Sequence, residues 1–197
     1  MIAIIPARGG SKRIPQKNIR EFCGKPLIYW TIKAAQESGV FEDIVVSTEE
    51  PKIAEIANSY GVKNIGRPME LATDSATTLD VIKWALQQIT TNSIMVLQCT
   101  SPLRTSNDIL KATLQFFKCH SLISVKPHLD GIYLQNGAIY AATTKFIKET
   151  GKLYNDESSL YLMPVDRSFD IDTEIDWQIA EMIMEKRLSN AQNIYNC

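Results

Sequence analysis

Two groups of residues in the chain combine types and spacings suited to chemistry. The first follows the apolar run Ile2–Pro6 and reads Ala7-Arg8-Gly9-Gly10-Ser11-Lys12-Arg13-Ile14-Pro15-Gln16-Lys17-Asn18. Adjacent glycines let backbone N–H groups approach an anion with no Cβ in the way. Arg8, Lys12, Arg13 and Lys17 fall within ten residues and repel one another unless a polyanion lies among them. A solvated basic loop explains the same residues more simply, but the position directly after a core strand favours phosphate binding. The run is neither a Walker A nor a GxGxxG sequence, so neither of those mechanisms is available by motif. The second group is Asp170 and Asp172 in Ser168-Phe169-Asp170-Ile171-Asp172. Strand alternation puts both carboxylates on one side and Phe169 and Ile171 on the other. Two such carboxylates repel unless hydrated or shared by a cation, and Mg²⁺ takes one or two protein carboxylates plus phosphate oxygens and waters. The competing explanation is helix capping by Asp172, Thr173 and Glu174, with Thr173 and Asp176 as a capping-box-like pair. It leaves Asp170 unexplained.

The elements that must position these groups alternate along the chain. Ile2–Pro6, Ile44–Ser47, Ile94–Gln98 and Leu122–Val125 are mostly apolar runs of strand length, as in parallel sheets buried on both faces. Helical patterns over Pro26–Ser38, Pro51–Tyr60, Thr77–Gln88 and Asn107–Phe117 lie between them. Ile53, Ile56, Ala57 and Tyr60 form one apolar stripe, Pro26 and Pro51 suit first-turn positions, and Gly39 and Gly61 sit just past helix ends. Ser106 or Asn107 is the expected cap of the fourth helix. Further on, Gly137–Ala142 and Tyr161–Met163 read as strands and Thr173–Leu188 as a closing helix. Ile175, Ile179, Met182, Ile183 and Met184 are the expected apolar face of that helix. The pattern predicts an open, Rossmann-like α/β/α fold of three layers with a mostly parallel sheet, in one domain over residues 1–197. Ligands of such sheets bind beyond the carboxyl ends of the strands.

Composition excludes several classes. Lys and Arg total 21 and Asp and Glu 22, a net charge of −1, which gives no electrostatic footprint for nucleic acid. With 45% hydrophobic and 22% charged residues the chain is globular rather than disordered. No apolar run is long enough to span a bilayer, and Met1-Ile2-Ala3-Ile4-Ile5-Pro6 lacks the basic region of a signal peptide, so a soluble, cytoplasmic protein without a membrane partner is expected. Cys23, Cys99, Cys119 and Cys197 are scattered and form no disulfide framework. His120 beside Cys119 reads as polar surface near a helix end.

The segment Ile5-Pro6-Ala7-Arg8-Gly9-Gly10-Ser11-Lys12-Arg13-Ile14-Pro15-x-Lys17-Asn18 closely resembles the opening signature of the acylneuraminate cytidylyltransferases, the CMP-sialic acid synthetase family. Further blocks match in order: Gly24-Lys25-Pro26-Leu27-Ile28, Val45-Val46-Ser47-Thr48, Arg67-Pro68-x-Glu70-Leu71-Ala72-Thr73-Asp74, Leu97-Gln98-x-Thr100-Ser101-Pro102-Leu103-Arg104, Asn136-Gly137-Ala138-Ile139-Tyr140 and Asp170-Ile171-Asp172-Thr173-Glu174. The resemblance implies a nucleotide-diphospho-sugar transferase-like fold. It also implies transfer of CMP from CTP to the anomeric hydroxyl of a nine-carbon α-keto acid sugar, with Mg²⁺ as cofactor and pyrophosphate released. Arg8, Lys12 and Lys17 match triphosphate-binding positions, with Gly9, Gly10 and Ser11 in the same loop. Asn18, Arg67 and Thr78 match positions that contact the nucleotide, and Asp170 and Asp172 match the metal-binding aspartates. Gln98 matches a glutamine that reaches the acceptor, and Asn136 is a further acceptor contact. Arg8, Lys12, Lys17 and Asp172 together form the implied catalytic set. Ordinary readings stay open beside these: a surface arginine next to Pro68, a first-turn threonine at 78, a strand-end glutamine bonding loop backbone at 98, a turn asparagine before Gly137, and a core tyrosine at 140.

The chain departs from the family in one place. Only Lys126–Gln135 separates the fourth strand from the Asn136 block, where relatives carry a longer stretch that includes an acceptor-binding arginine and much of the dimerisation surface. Here the segment has Lys126 and His128 but no arginine, and Leu134 stands where many relatives have a basic residue. The shortening leaves three readings open: a different or smaller acceptor, an altered oligomer in place of a homodimer, or a CTP-binding homologue that has lost transfer and acts as a regulatory or partner protein. An eight-carbon keto-acid acceptor fits the Gly9-Gly10-Ser11 loop and Asn18 poorly.

Overall fold

The computed structural model describes residues 1–195, so Cys197 lies outside the described residues. In chain order the elements are β1 (Ile2–Pro6), a hairpin of β2 (Glu21–Phe22) and β3 (Lys25–Pro26), α1 (Leu27–Ser38), β4 (Asp43–Ser47), α2 (Pro51–Ser59) and β5 (Lys63–Asn64). Then follow α3 (Thr78–Gln88), β6 (Ser93–Leu97), α4 (Ser106–Phe116), β7 (Ser121–Pro127), β8 (Tyr133–Thr143), α5 (Thr144–Thr150), β9 (Ser159–Leu162) and α6 (Glu174–Tyr195). Each expected strand and helix is present within a few residues, apart from the strand alternation expected over Ser168–Asp172. The β2–β3 hairpin, β5 and α5 are additions: the strands are two residues each, too short to show a period.

Seven strands form one sheet in the order β5-β4-β1-β6-β8-β7-β9, and β8 alone runs against the others. The alternation of β1 divides the core in two. Ala3 and Ile5 face a cluster with Ile28 and Ile32 of α1, Ile53 of α2 and Ile109 of α4. Ile2 and Ile4 face Ile82 and Ala85 of α3 and Ile147 of α5. Helices thus cover both faces, which is why the central strands are apolar at consecutive positions. After β5 the chain crosses back over β1 to β6, so strand order reverses beside β1. Ligands of open α/β sheets enter at such a point.

Several local expectations are corrected. The cap of α4 is Thr105, whose side chain accepts from the Asp108 N–H while the Asp108 carboxylate accepts from the Thr105 N–H. A reciprocal pair outcompetes a lone Ser106 or Asn107. Pro26 occupies the position just before α1 and Pro51 begins α2. The final helix runs on to Tyr195 rather than ending at Leu188. Its buried face is Trp177, Ala180 and Met184, packed on Phe22, Trp30 and Ile171, whereas Ile175 and Met182 are 68% and 70% exposed and Ile179 is exposed too. The largest side chain, Trp177, sets the rotation of the helix, in edge-to-face contact with Phe22 at 5.4 Å. Ser168–Asp172 is irregular chain, not a strand. Residues 126–135 form the end of the β7–β8 hairpin, with Lys126 opposite Leu134 and Pro127 opposite Tyr133.

The run leading to Asp170 is fixed by a buried ion pair. Arg167 Nε and Nη2 donate to the two carboxylate oxygens of Asp108 at 2.8 and 3.1 Å, and the Tyr161 hydroxyl donates to the same group at 3.1 Å. Burial alone would raise the Asp108 pKa; the bonds from Arg167 and Thr105 outweigh it and hold it below the usual carboxylate range. Its contribution to stability is therefore complete above the ordinary carboxylate pKa and is lost as pH falls through the lower folded value. Asp108→Ala strands the guanidinium and removes the α4 cap, so equilibrium denaturation is expected to show a loss of about 3 kcal/mol. The mutant's stability is also expected to fall less than the wild type's in acid.

Candidate active site

The basic loop leaves the carboxyl end of β1 and is tied down at both ends. Ala7 N–H donates to Ser47 O at 3.1 Å, and Asn18 Nδ2 donates to Arg8 O at 2.9 Å. The two glycines are not equivalent. A Cβ at Gly9 would lie 2.9 Å from Glu50 Cβ at the start of α2, while Gly10 meets nothing. The Gly9 N–H donates to Glu49 Oε1 at 2.7 Å, so a carboxylate of the protein already takes it.

Arg8, Ser11, Lys12, Lys17, Asn18, Arg67, Thr78 and Gln98 line one cavity of about 550 Å³ over the β1–β6 crevice. Its cations are held by carboxylates. Arg8 Nη2 and Lys12 Nζ lie 2.7 and 2.6 Å from opposite oxygens of Asp74, whose carboxyl is held below its usual range first by Lys12 and then by Arg8. Arg67 is buried, donates to Ser47 O at 2.8 Å and sits 3.9 Å from Glu49 Oε2. Burial lowers the Arg67 pKa, partly countered by Glu49. Gln98 Nε2 donates to Thr78 Oγ1 at 3.3 Å across the cavity, and Thr78 is the first residue of α3 after the Thr77 cap. Cys99 also lines the cavity, but burial pushes its pKa up to about 12, so it stays a thiol and is no nucleophile.

The acidic group meets the basic loop directly. Ile171 is fully buried, its N–H donates to Thr100 O at 2.8 Å, and Lys17 Nζ donates to its carbonyl at 2.7 Å. With Ile171 pinned, its neighbours Asp170 and Asp172 both act on the Lys17 ammonium. Burial lowers the Lys17 pKa, offset in part by these two carboxylates. Asp172 Oδ1 lies 2.9 Å from Arg13 Nη2 and 3.7 Å from Lys17 Nζ. Asp170 is an exposed residue whose pKa is raised by desolvation and by Asp172, against a bond from Thr100. The Thr173–Asp176 capping pair is present as well, with Thr173 Oγ1 donating at 2.8 Å. Among the described residues no group of three or more His, Cys, Asp or Glu could hold a metal ion. Two carboxylates, one with a raised pKa, are an all-oxygen donor set that fits a hard cation whose other ligands are phosphate oxygens and water.

Asn136 stands apart from the cavity. Its Oδ1 accepts from Ser124 Oγ and the Ala138 N–H, and its Nδ2 donates to Ser168 Oγ at 2.9 Å, so the buried amide locks β7, β8 and the Ser168 run together. Glu49 and Asp74 belong to the site without having been assigned a role from sequence. The available signal was a carboxylate just beyond the carboxyl end of β4 and the last residue of the Arg67–Asp74 block.

A cation-lined crevice at the strand-order reversal of an open α/β sheet, with carboxylates at its rim, defines a nucleotide-handling α/β transferase. Residues 2–126 match the sequence model described as cytidylyltransferase. The chain is 38% identical over 223 aligned positions to the CMP-N,N'-diacetyllegionaminic acid synthase of Legionella pneumophila, covering 94% of this chain and 96% of that one. It is 35% identical to the N-acylneuraminate cytidylyltransferase of Escherichia coli, covering all of this chain and 56% of that one, so it spans about half the length of that relative. The 223 aligned positions with the Legionella enzyme outnumber the 197 residues of the chain, so that relative carries stretches this chain lacks. Among solved structures, CMP:2-keto-3-deoxy-manno-octonic acid synthetase complexed with CTP superposes with a TM-score of 0.80 at 15% identity, over 94% of this chain and 98% of that one. The 4-diphosphocytidyl-2C-methyl-D-erythritol synthase of Anaerococcus prevotii gives 0.71 at 15% identity, over 93% and 97%. These two share the fold, that of the nucleotide-diphospho-sugar transferases. The chain belongs to the cytidylyltransferase family and is a nucleotidyltransferase.

Asp74 competes with an incoming polyanion for Arg8 and Lys12. Asp74→Asn is expected to tighten binding of a nucleoside triphosphate several-fold at low salt and to steepen its salt dependence, read by titration calorimetry across ionic strengths.

Proposed function

We propose that the chain transfers CMP from CTP to the anomeric hydroxyl of a sialic-acid-like nonulosonate and releases pyrophosphate. The observation that carries this reading is the junction of the basic loop with Asp170 and Asp172 through Lys17, at the rim of a cavity of about 550 Å³. The relatives named for N,N'-diacetyllegionaminic acid and N-acylneuraminate support the acceptor class, since both names denote nine-carbon α-keto acid sugars.

The acceptor hydroxyl oxygen forms a bond to the α-phosphorus as the bond to the β-phosphate oxygen breaks, and the hydroxyl proton is lost. Such a transfer needs positioning and charge neutralisation rather than a covalent nucleophile. In this reading Arg8 and Lys12 leave Asp74 for the β- and γ-phosphates, Arg8 as a two-pronged donor and Lys12 as a point charge. Lys17, held beside Asp172, neutralises charge nearest the reacting phosphate. Asn18 keeps the Arg8 carbonyl in place, Arg67 and Thr78 serve the nucleoside, and Gln98 faces the acceptor. Asp170 and Asp172 are the residues that would hold Mg²⁺. Bound there, the ion supplies Lewis-acid stabilisation of phosphate charge.

Pyrophosphate release from CTP with Mg²⁺ and a panel of keto-acid sugars is expected to show turnover with at least one nonulosonate. Tight CTP binding with no turnover on any sugar overturns the reading in favour of a CTP-binding regulatory homologue. Asp172→Asn is expected to lower kcat by at least about a hundredfold while the thermal unfolding midpoint stays within a few degrees, because it removes one of the two carboxylates that would hold Mg²⁺.

A further inference from the structure

We infer that Lys152 is the residue that recognises the acceptor's carboxylate, in a second cavity beside the nucleotide cavity. The inference rests on the CMP-transfer reading and adds the part of the protein that reads the sugar acid. The second cavity, of about 500 Å³, shares Thr77 and Thr78 with the first, so a molecule in it abuts whatever occupies the nucleotide side. One wall is an aromatic shelf, Tyr140 and Tyr154, with ring centroids 5.8 Å apart and 30° between planes. Tyr140 also stands next to the acidic pair: a Cβ placed on Gly137 would lie 3.9 Å from the Tyr140 hydroxyl and 3.7 Å from Asp170 Oδ2. The cavity therefore reaches the start of α3, and its Tyr140 wall lies close to Asp170.

Lys152 is aimed by its neighbours. Gly151 ends α5 in the left-handed conformation at φ 67°, and Leu153 is buried in the core cluster beneath α3 and α5. Lys152, Leu153 and Tyr154 all line the cavity, with Leu153 the buried anchor and Lys152 exposed. Lys152 is the one cation in that lining, and among the described residues it joins no ion pair. Lys126 and His128, the cationic candidates of the hairpin end, line neither cavity. Asp156 is the one carboxylate in the lining. A single ammonium beside a single carboxylate suits a ligand with one negative charge and many hydroxyls, the carboxylate on Lys152 and hydroxyls donating to Asp156. A phosphoryl dianion would find one cation there and no second to balance its second charge. The aromatic faces suit the aliphatic and acyl parts of such a sugar.

The test is steady-state kinetics of Lys152→Gln and Lys152→Arg with CTP, Mg²⁺ and the best keto-acid sugar. The Gln variant is expected to raise the acceptor KM roughly tenfold to a hundredfold, the worth of a charged hydrogen bond, with the KM for CTP and the melting curve unchanged. The Arg variant is expected to retain most of the affinity. An acceptor whose carboxylate is replaced by a primary amide is expected to lose a similar factor with the wild type and little more with the Gln variant. An unchanged acceptor KM in Lys152→Gln, or an equal amide penalty in both proteins, overturns the assignment while CMP transfer stands. Preference for a sugar phosphate over every sugar acid does the same. A wild-type protein that turns over no acceptor overturns the CMP-transfer reading, and the assignment with it.

Discussion

The arrangement of the site depends on one buried ammonium. Lys17 Nζ is bonded to the Ile171 carbonyl at 2.7 Å and lies 3.7 Å from Asp172, with its own side chain only 12% exposed. A buried cation is stable only while its partners stay in place. The Lys17 bond therefore ties the loop after β1 to the irregular run before α6, which are 154 positions apart in sequence. Ile171 carries the same tie onward, its N–H on Thr100 just past β6 and its side chain in the cluster of Phe22, Trp30 and Trp177. Three segments from distant parts of the chain thus converge on one residue, and Asp170 and Asp172 project from either side of it.

Four cations within ten residues coexist because carboxylates from two other parts of the molecule answer them in pairs. Arg8 and Lys12 share Asp74, Arg13 meets Asp172, and Lys17 meets Ile171 O and Asp172. The pairs differ in burial, and this decides which of them yield. Lys12 and Asp74 are largely exposed, so their attraction is screened and a triphosphate displaces it at little cost. Arg67 and Glu49 are almost enclosed and stay paired, which makes them a fixed floor rather than a moving part. The same contrast separates Gly9, pressed against α2, from Gly10, which faces open space.

The period-based features of the fold were legible because burial on both faces of a sheet leaves a pattern of apolar runs, and the strands and helices around β1 and β6 follow it. Elements with no period escaped: β5 and the β2–β3 hairpin have two residues per strand, and the rotation of α6 was misjudged because Ile175, Ile179 and Met182 outnumber the bulkier Trp177 that wins the contact. In the site, charge patterning identified the loop and the aspartate pair, and the resemblance supplied Asn18, Arg67, Thr78 and Gln98, which the fold brings to one cavity. The reason given for the pair was wrong in detail. Asp170 and Asp172 flank Ile171 in irregular chain, and tertiary bonds rather than strand pleating hold them. Long-range partners such as Glu49 for Gly9 leave no local signature, because their proximity exists only once β1 and β4 are side by side.

None of residues 126–135 at the hairpin end lines either of the two cavities. Its tip, Leu129–Gly131, lies beyond the β7–β8 pairing and lines neither cavity. One residue of the segment does bear on the second cavity: Gln135 Oε1 accepts the Tyr154 hydroxyl at 3.1 Å, which fixes one ring of the Tyr140–Tyr154 shelf. The polar groups around that shelf come from the turn after α5, whose direction is set by Gly151 and the buried Leu153. The backbone of that turn is anchored by α5 and β9, while the hairpin contributes Gln135 and Tyr140 to the shelf.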